Sequence, residues 1–185
     1  VSMDSRPNSQ QRPKQTSNRS SLLLSPHPLL LNLNENQDMK PTLVITGLPV
    51  RISHDLQTLL EQAISSALVE FPDEIPDSTS PAALTLNYRD PDYSATTGGY
   101  HPVEIRLERW EDGWHLRYVT DFAYVGQGWC TELAKELDFD FSMGEYTHSL
   151  MGQMSLTEVH EWFDVWQQSF CCYAQMDVFT LTVTP

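Results

Sequence analysis

The densest run of reactive side chains is Arg89-Asp90-Pro91-Asp92-Tyr93-Ser94-Ala95-Thr96-Thr97-Gly98-Gly99-Tyr100-His101-Pro102-Val103-Glu104. It brings together a carboxylate pair, a hydroxyl cluster, a diglycine, two tyrosines and a histidine. Asp90, Asp92, His101 and Glu104 are donor types that could hold a metal ion or act as acid and base. The same residue types also build ordinary loops, because Asp accepts from nearby backbone N–H groups and Gly permits positive φ. That structural account outweighs the chemical one. The segment is therefore read as a candidate binding surface formed by Arg89, Asp90, Asp92, Tyr93, Tyr100, His101 and Glu104. No catalytic residue and no metal ligand is assigned.

Elsewhere the reactive residues lack partners at useful spacing. Asp138 and Asp140 alternate with Leu137, Phe139 and Phe141, which reads as a solvated face opposite an apolar one. Asp121 is placed on a charged sheet face, where an Arg could pair with it, and Glu132 and Glu136 on a solvated short helix. His160 has no second His at the spacing of a zinc-protease helix, and Ser94 has no nucleophile-elbow context. Neither a GxxxxGK[ST] nor a GxGxxG motif occurs, so no cofactor is expected. The three Cys include the adjacent pair Cys171 and Cys172, which is poorly suited to a disulfide, and there is no CxxC. Free thiols point to a reducing compartment, with the cytoplasm as the default and Cys130 as a buried or part-buried thiol.

The elements that would position the loop are strands framed by two helices. Thr42 to Leu48 is a β-branched run that predicts a strand. Ser53 is a cap for a helix whose apolar stripe runs from Leu56 through Leu60 and Ile64 to Phe71, ending before Pro72. Pro72 to Pro81 reads as a polar loop. Ala83 to Tyr88 alternates as a half-buried strand. Val103 to Trp110 and Trp114 to Tyr124 predict a hairpin turning on Asp112-Gly113. In that register Val103, Ile105 and Leu107 lie opposite Phe122, Thr120 and Tyr118, and Glu108 meets Arg117. Thr131 to Leu137 predicts a short helix, and Asp138 to Gly152 an irregular stretch. Ser155 and Glu158 form a capping box before a helix carrying Val159, Trp162, Phe163, Trp166, Phe170 and Tyr173 on one face. Val178 to Thr184 alternates as a last strand. Hairpins without βαβα alternation predict an α+β domain, a mainly antiparallel sheet covered by N- and C-terminal amphipathic helices.

Composition bounds the function. The chain has 185 residues, 40% of them hydrophobic, and a net charge of −14. Residues 1–38 are rich in Ser, Asn, Gln and Pro and hold none of the aromatic, Gly or Cys residues. They read as a disordered polar tail, with Met39 as a natural start for a single domain over 39–185. The leucine runs Leu22–Leu24 and Leu29–Leu31 are split by Ser25-Pro26-His27-Pro28, which does not match a secretion signal. The tail holds four of the 11 basic and three of the 25 acidic residues, leaving seven against 22, or −15, after Asp38. Such a surface argues against direct nucleic-acid binding, and no apolar run approaches the roughly 20 residues of a membrane helix.

Three stretches resemble one family: Arg89-Asp90-Pro91 through Gly98-Gly99-Tyr100-His101-Pro102-Val103-Glu104-Ile105; Thr120-Asp121-Phe122 with Glu132 to Phe141; and Trp166 to Phe179. It is the uncharacterised gammaproteobacterial family called domain of unknown function 2787, met on genomic and pathogenicity islands, and the resemblance covers about Met39 to Pro185. The resemblance implies a fold similar to the acidic mitochondrial matrix glycoprotein that also receives complement globular heads, with a twisted antiparallel sheet between terminal helices. It supplies no catalytic residues, and a shared fold does not transfer function.

The functional reading from sequence is a non-enzymatic, acidic protein-interaction module for a basic protein partner, with a homo-oligomer as a further possibility. The alternatives are a metal-assisted hydrolase built on the Asp90 to Glu104 loop, or an acidic mimic of nucleic acid from a mobile element.

Overall fold

The computed structural model describes residues 41–75 and 82–185. The polar tail, its leucine runs and the end of the Pro72 to Pro81 loop lie outside the described residues. The elements are β1 (Leu43–Val44), α1 (His54–Glu70), β2 (Ala82–Arg89), β3 (Val103–Trp110), β4 (Gly113–Val125), β5 (Glu132–Asp140), β6 (Glu145–His148), β7 (Gly152–Ser155), α2 (His160–Gln175) and β8 (Thr180–Thr184). One eight-stranded sheet runs β7-β6-β5-β4-β3-β2-β8, open at both ends, and β1 adds to β4 as its one parallel partner. This is the expected α+β architecture.

One sheet face is apolar because each strand alternates. Leu84 and Leu86 on β2, Ile105 and Leu107 on β3, Val119 on β4 and Phe139 on β5 are all at or near zero exposure. Leu56, Leu60 and Ile64 of α1 and Phe163, Trp166 and Phe170 of α2 complete the same core. Phe139 meets Phe163 edge-on at 5.1 Å, and Tyr88 meets Phe170 at 5.0 Å, so α2 lies across β2 to β5. Each fully buried side chain of this size contributes about 1.5–3 kcal/mol. The helices are tied by Gln167, buried on α2, which accepts from Ser53 N–H at 2.8 Å and donates to the Arg51 carbonyl at 3.0 Å. Ser53 also caps α1 as expected, accepting from Leu56 N–H at 3.2 Å.

The opposite face is polar. Tyr118 Oη donates to Glu104 at 2.8 Å, Arg106 donates to Thr85 at 2.6 Å, and Arg117 pairs with Glu108 at 3.1 Å. Asp138 accepts from Thr120 and Lys135, on the solvated side expected for it. Asp140 instead caps the β5–β6 turn, accepting from Ser142 and Met143 N–H groups.

Several expectations are corrected. The β3–β4 loop is Glu111-Asp112, with Trp110 paired to Gly113. Gly113 serves β1 rather than the turn: a Cβ there would lie 2.8 Å from the Thr42 carbonyl oxygen. A bulge between Arg106 and Leu107 then shifts the register again, so Ile105 faces Val119 and Val103 faces Asp121. Glu108 lies opposite His115, yet Arg117, the extra residue of the bulge, stays within reach of it. Thr131 to Leu137 is not a helix. The helix-favouring Leu-Ala-Lys-Glu-Leu run is captured as β5, where backbone pairing with β4, joined by β6 from Leu137 onward, outweighs a propensity of tenths of a kcal/mol per residue. Asp138 to Gly152 is correspondingly regular, forming the end of β5 and the β6–β7 hairpin. The capping box forms, with Ser155 N–H to Glu158 at 3.0 Å and Glu158 N–H to Ser155 at 3.4 Å, but it closes a separate turn before α2 begins at His160. The first strand shortens to Leu43–Val44, and Cys130 is exposed in a 3-10 turn.

Candidate functional site

The β2–β3 connection is held by its own polar groups. Asp90 accepts from Asp92 N–H and from Tyr100 N–H, both at 2.9 Å. Ser94 and Gly98 exchange backbone hydrogen bonds, and Ser94 Oγ lies 2.6 Å from Thr97 Oγ1. Gly99, at φ +133°, passes so close to Asp90 that a Cβ would lie 2.7 Å from its Oδ2. Tyr93 lies against β4, its ring stacked on Tyr124 at 5.2 Å and its hydroxyl oxygen accepting from Tyr124 N–H at 3.2 Å. This arrangement turns Tyr100 and His101 toward the helix-covered side of the sheet. Tyr100 packs against Tyr173 of α2 at 4.7 Å, and His101 sits 5.4 Å from the Tyr93 ring.

His101 meets two carboxylates there. Its Nδ1 lies 3.0 Å from Asp121 Oδ1 and 3.0 Å from Glu136 Oε2. Asp121 also accepts from Trp166 Nε1 at 3.3 Å. Asp121 is thus on the apolar, helix-covered face, level with Val103 and Leu137, and not on the charged face expected from sequence. Glu136 reaches it through a second bulge. Asp121 pairs with Leu137 and Phe122 with Lys135, so Glu136 is the extra residue. Bulges re-aim side chains in this way. The hydrogen bond to Asp121 first, then the charges of Asp121 and Glu136, raise the His101 pKa above its usual value against an opposing desolvation. The three donor atoms lie within 4.8 Å of one another, the one such group among the described residues that could hold a metal ion.

His101 and Asp121 of this cluster form part of the wall of a cavity of about 350 Å³ between α2 and the sheet, lined also by Tyr100, Phe170, Tyr173 and Phe179. Trp166 and Ser169 separate it from a second, apolar groove of about 400 Å³. That groove runs between α2 and β5–β6, and Leu137, Phe139, Tyr146, Met151, Trp162 and Val165 line it.

Of the seven loop residues singled out by sequence, Tyr93, Tyr100 and His101 reach this region. Arg89 ends β2 opposite Thr180 and is exposed, as is Asp92. Asp90 is committed to backbone groups, and Glu104 accepts from Tyr118 on the other face. Asp90, Asp92, His101 and Glu104 therefore do not converge as the hydrolase reading requires. Sequence reasoning missed Asp121 and Glu136 as His101's partners, and Trp166 as the partner of Asp121. The usable signal was the break in apolar phase from Trp114 and Leu116 to Val119, which marks a bulge and re-faces Asp121.

Comparison with known proteins agrees with this architecture. The hypothetical protein VC0508 from the Vibrio cholerae VSP-II pathogenicity island aligns at 29% identity and TM-score 0.63, over 77% of this chain and 100% of its own. The conserved hypothetical protein VC1805 from the V. cholerae pathogenicity island VPI-2 aligns at 31% identity and TM-score 0.62, over 74% of this chain and 97% of its own. VC1805 is described as sharing structural homology with the human P32 protein. No curated protein matches the chain. Residues 54–184, which span α1 to β8 and include both openings beside α2, match the family described as Protein of unknown function (DUF2787), and the chain belongs to that family.

Proposed function

We propose that the protein is a cytoplasmic, non-enzymatic interaction module that receives a basic segment of a partner protein, seating an apolar residue of that segment in the groove between α2 and β5–β6. The observation that carries this reading is an apolar opening set in a wholly acidic part of the chain. From Glu136 to Pro185 there are eight carboxylate side chains and no Lys or Arg, and every residue lining the groove belongs to that stretch. Trp162 is 43% exposed, Met151 54% and Val165 65%. Contiguous apolar surface of this kind is costly to leave in water and marks interaction sites. The apolar anchor supplies affinity, while the excess of carboxylates speeds the approach of a basic partner and repels an acidic one. The same charge disfavours a second copy of this chain and a nucleic-acid phosphate backbone as occupants. Among the described residues no helix is long and apolar enough to cross a membrane.

Fluorescence anisotropy with labelled short peptides tests the proposal. Lys/Arg-rich peptides with a central Leu or Phe should bind, more weakly as salt rises. The same basic peptides with a central Gly, and acidic peptides with a central Leu, should bind less well. Trp162→Ala and Val165→Ser should weaken the first class. Equal binding of acidic and basic anchored peptides, indifference to the groove substitutions, or no binding by any peptide would overturn the reading.

A further inference from the structure

We infer that His101, Asp121 and Glu136 form a binding site for one divalent first-row transition-metal ion, with Zn²⁺ the preferred occupant. The argument begins with donors and acceptors. A neutral imidazole Nδ1 offers either one N–H or one lone pair. Here that single atom faces two carboxylate oxygens, each at 3.0 Å. One proton cannot serve both acceptors well, whereas one cation serves all three donors at once. The spacing suits such an ion. Donors about 2.1 Å from a Zn²⁺ ion stand roughly 3.0 to 3.4 Å from their neighbours in octahedral or tetrahedral geometry. The three atoms lie within 4.8 Å of one another, so side-chain adjustment alone brings them to that geometry.

The surroundings add to the argument. Trp166 Nε1 holds the second oxygen of Asp121 at 3.3 Å, leaving Oδ1 directed to the cluster, which is how outer partners orient metal-binding carboxylates. Glu136 is present because of the β4–β5 bulge; regular pairing would send it to the opposite face. His101 is delivered by the folded loop and followed by Pro102, whose carbonyl accepts from Phe122 N–H at 2.9 Å. Three segments thus present one donor each from fixed backbone. Two carboxylates and a neutral imidazole balance a 2+ ion. The mixed nitrogen and oxygen set suits Zn²⁺ over Ca²⁺ or Mg²⁺, and Zn²⁺ over Mn²⁺ by affinity order. Three protein ligands leave coordination positions facing the 350 Å³ cavity, where water or a ligand donor atom would complete the shell. This inference is independent of the peptide-groove reading.

The test uses the untagged full chain with Cys130 and Cys172, the exposed thiols, replaced by Ser so that they do not bind metal. After chelator treatment, Zn²⁺ is titrated by calorimetry and Co²⁺ by its visible absorption. One equivalent per chain is expected. His101→Ala and Glu136→Gln should each lower affinity by at least about tenfold, since even outer partners of a metal are worth that much. Asp138→Asn, on the opposite face, should leave it unchanged, and circular dichroism should show the fold retained. Absence of Zn²⁺ and Co²⁺ binding, or binding that His101→Ala and Glu136→Gln do not weaken, would overturn the assignment.

Discussion

Replacing Gly99 by Ala places a Cβ 2.7 Å from Asp90 Oδ2 and 3.1 Å from the Tyr93 Cα, at a backbone φ of +133°. Three costs add. The backbone region is one that an L side chain occupies only with strain of about 1–3 kcal/mol. The crowded Asp90 carboxylate must move away, and its hydrogen bond to Tyr100 N–H at 2.9 Å lengthens or breaks. A bond to a charged acceptor is worth about 1.5–3 kcal/mol. The total is about 2.5–6 kcal/mol, and at roughly 2–4 °C per kcal/mol for a chain of this size the melting midpoint should fall by about 5–24 °C. Gly98 is the internal control. It has φ +70° with nothing within 4 Å of its Cβ position, so Gly98→Ala should cost only about 1–2 kcal/mol. Thermal and urea unfolding followed by circular dichroism measure both. A double-mutant cycle with Asp90→Ala tests the cause: without the carboxylate the nearest obstruction is gone, and the Gly99→Ala penalty should drop by about half. If Gly99→Ala costs no more than Gly98→Ala, or the penalty is the same with and without Asp90, the close approach does not hold this loop.

Two further outcomes follow from buried and paired groups. Burial pushes the Cys171 thiol up to about 11, whereas Cys130 and Cys172 are exposed. At pH 8 a thiol reagent should therefore modify two cysteines quickly and the third only on unfolding; three equal rates would contradict the packing of α2. His101 has a raised pKa in the folded state through Asp121 and Glu136. Its stabilising contribution is present below its unfolded pKa of about 6.5 and is lost as pH rises through the folded value. In metal-free protein the urea midpoint of the parent should fall relative to that of His101→Gln as pH rises above about 6.5; parallel profiles would mean that the pair contributes nothing.

Much of the scaffold was legible because its signals are local. The Leu56 to Phe71 stripe, the alternation of Leu84, Leu86 and Tyr88, and the apolar face of α2 each repeat with their own element's period, and each element is where that period puts it. The stripe on α2 is rotated from the expected one: Trp162 and Tyr173 stay partly exposed, while Gln167 and Cys171 are buried. Gln167 is buried because Ser53 N–H and the Arg51 carbonyl satisfy its amide, a long-range pairing that periodicity does not encode. Glu132 to Leu137 went the other way. Its residues favour a helix by small increments, and what outweighs them is backbone pairing with Asp121 to Val125 of β4, which the propensities of single residues do not register.

By itself the sequence determined the acidic charge, the two amphipathic helices, the antiparallel class of the sheet and the loop that carries His101. Tertiary structure alone decided what His101 meets. One bulge re-faced Asp121, another swung Glu136 beside it, and α2 brought the Trp166 indole N–H to the same carboxylate. A bulge shifts every later residue of a strand by one place against its partner, so its effect is written in the pairing of two strands and not in the composition of either.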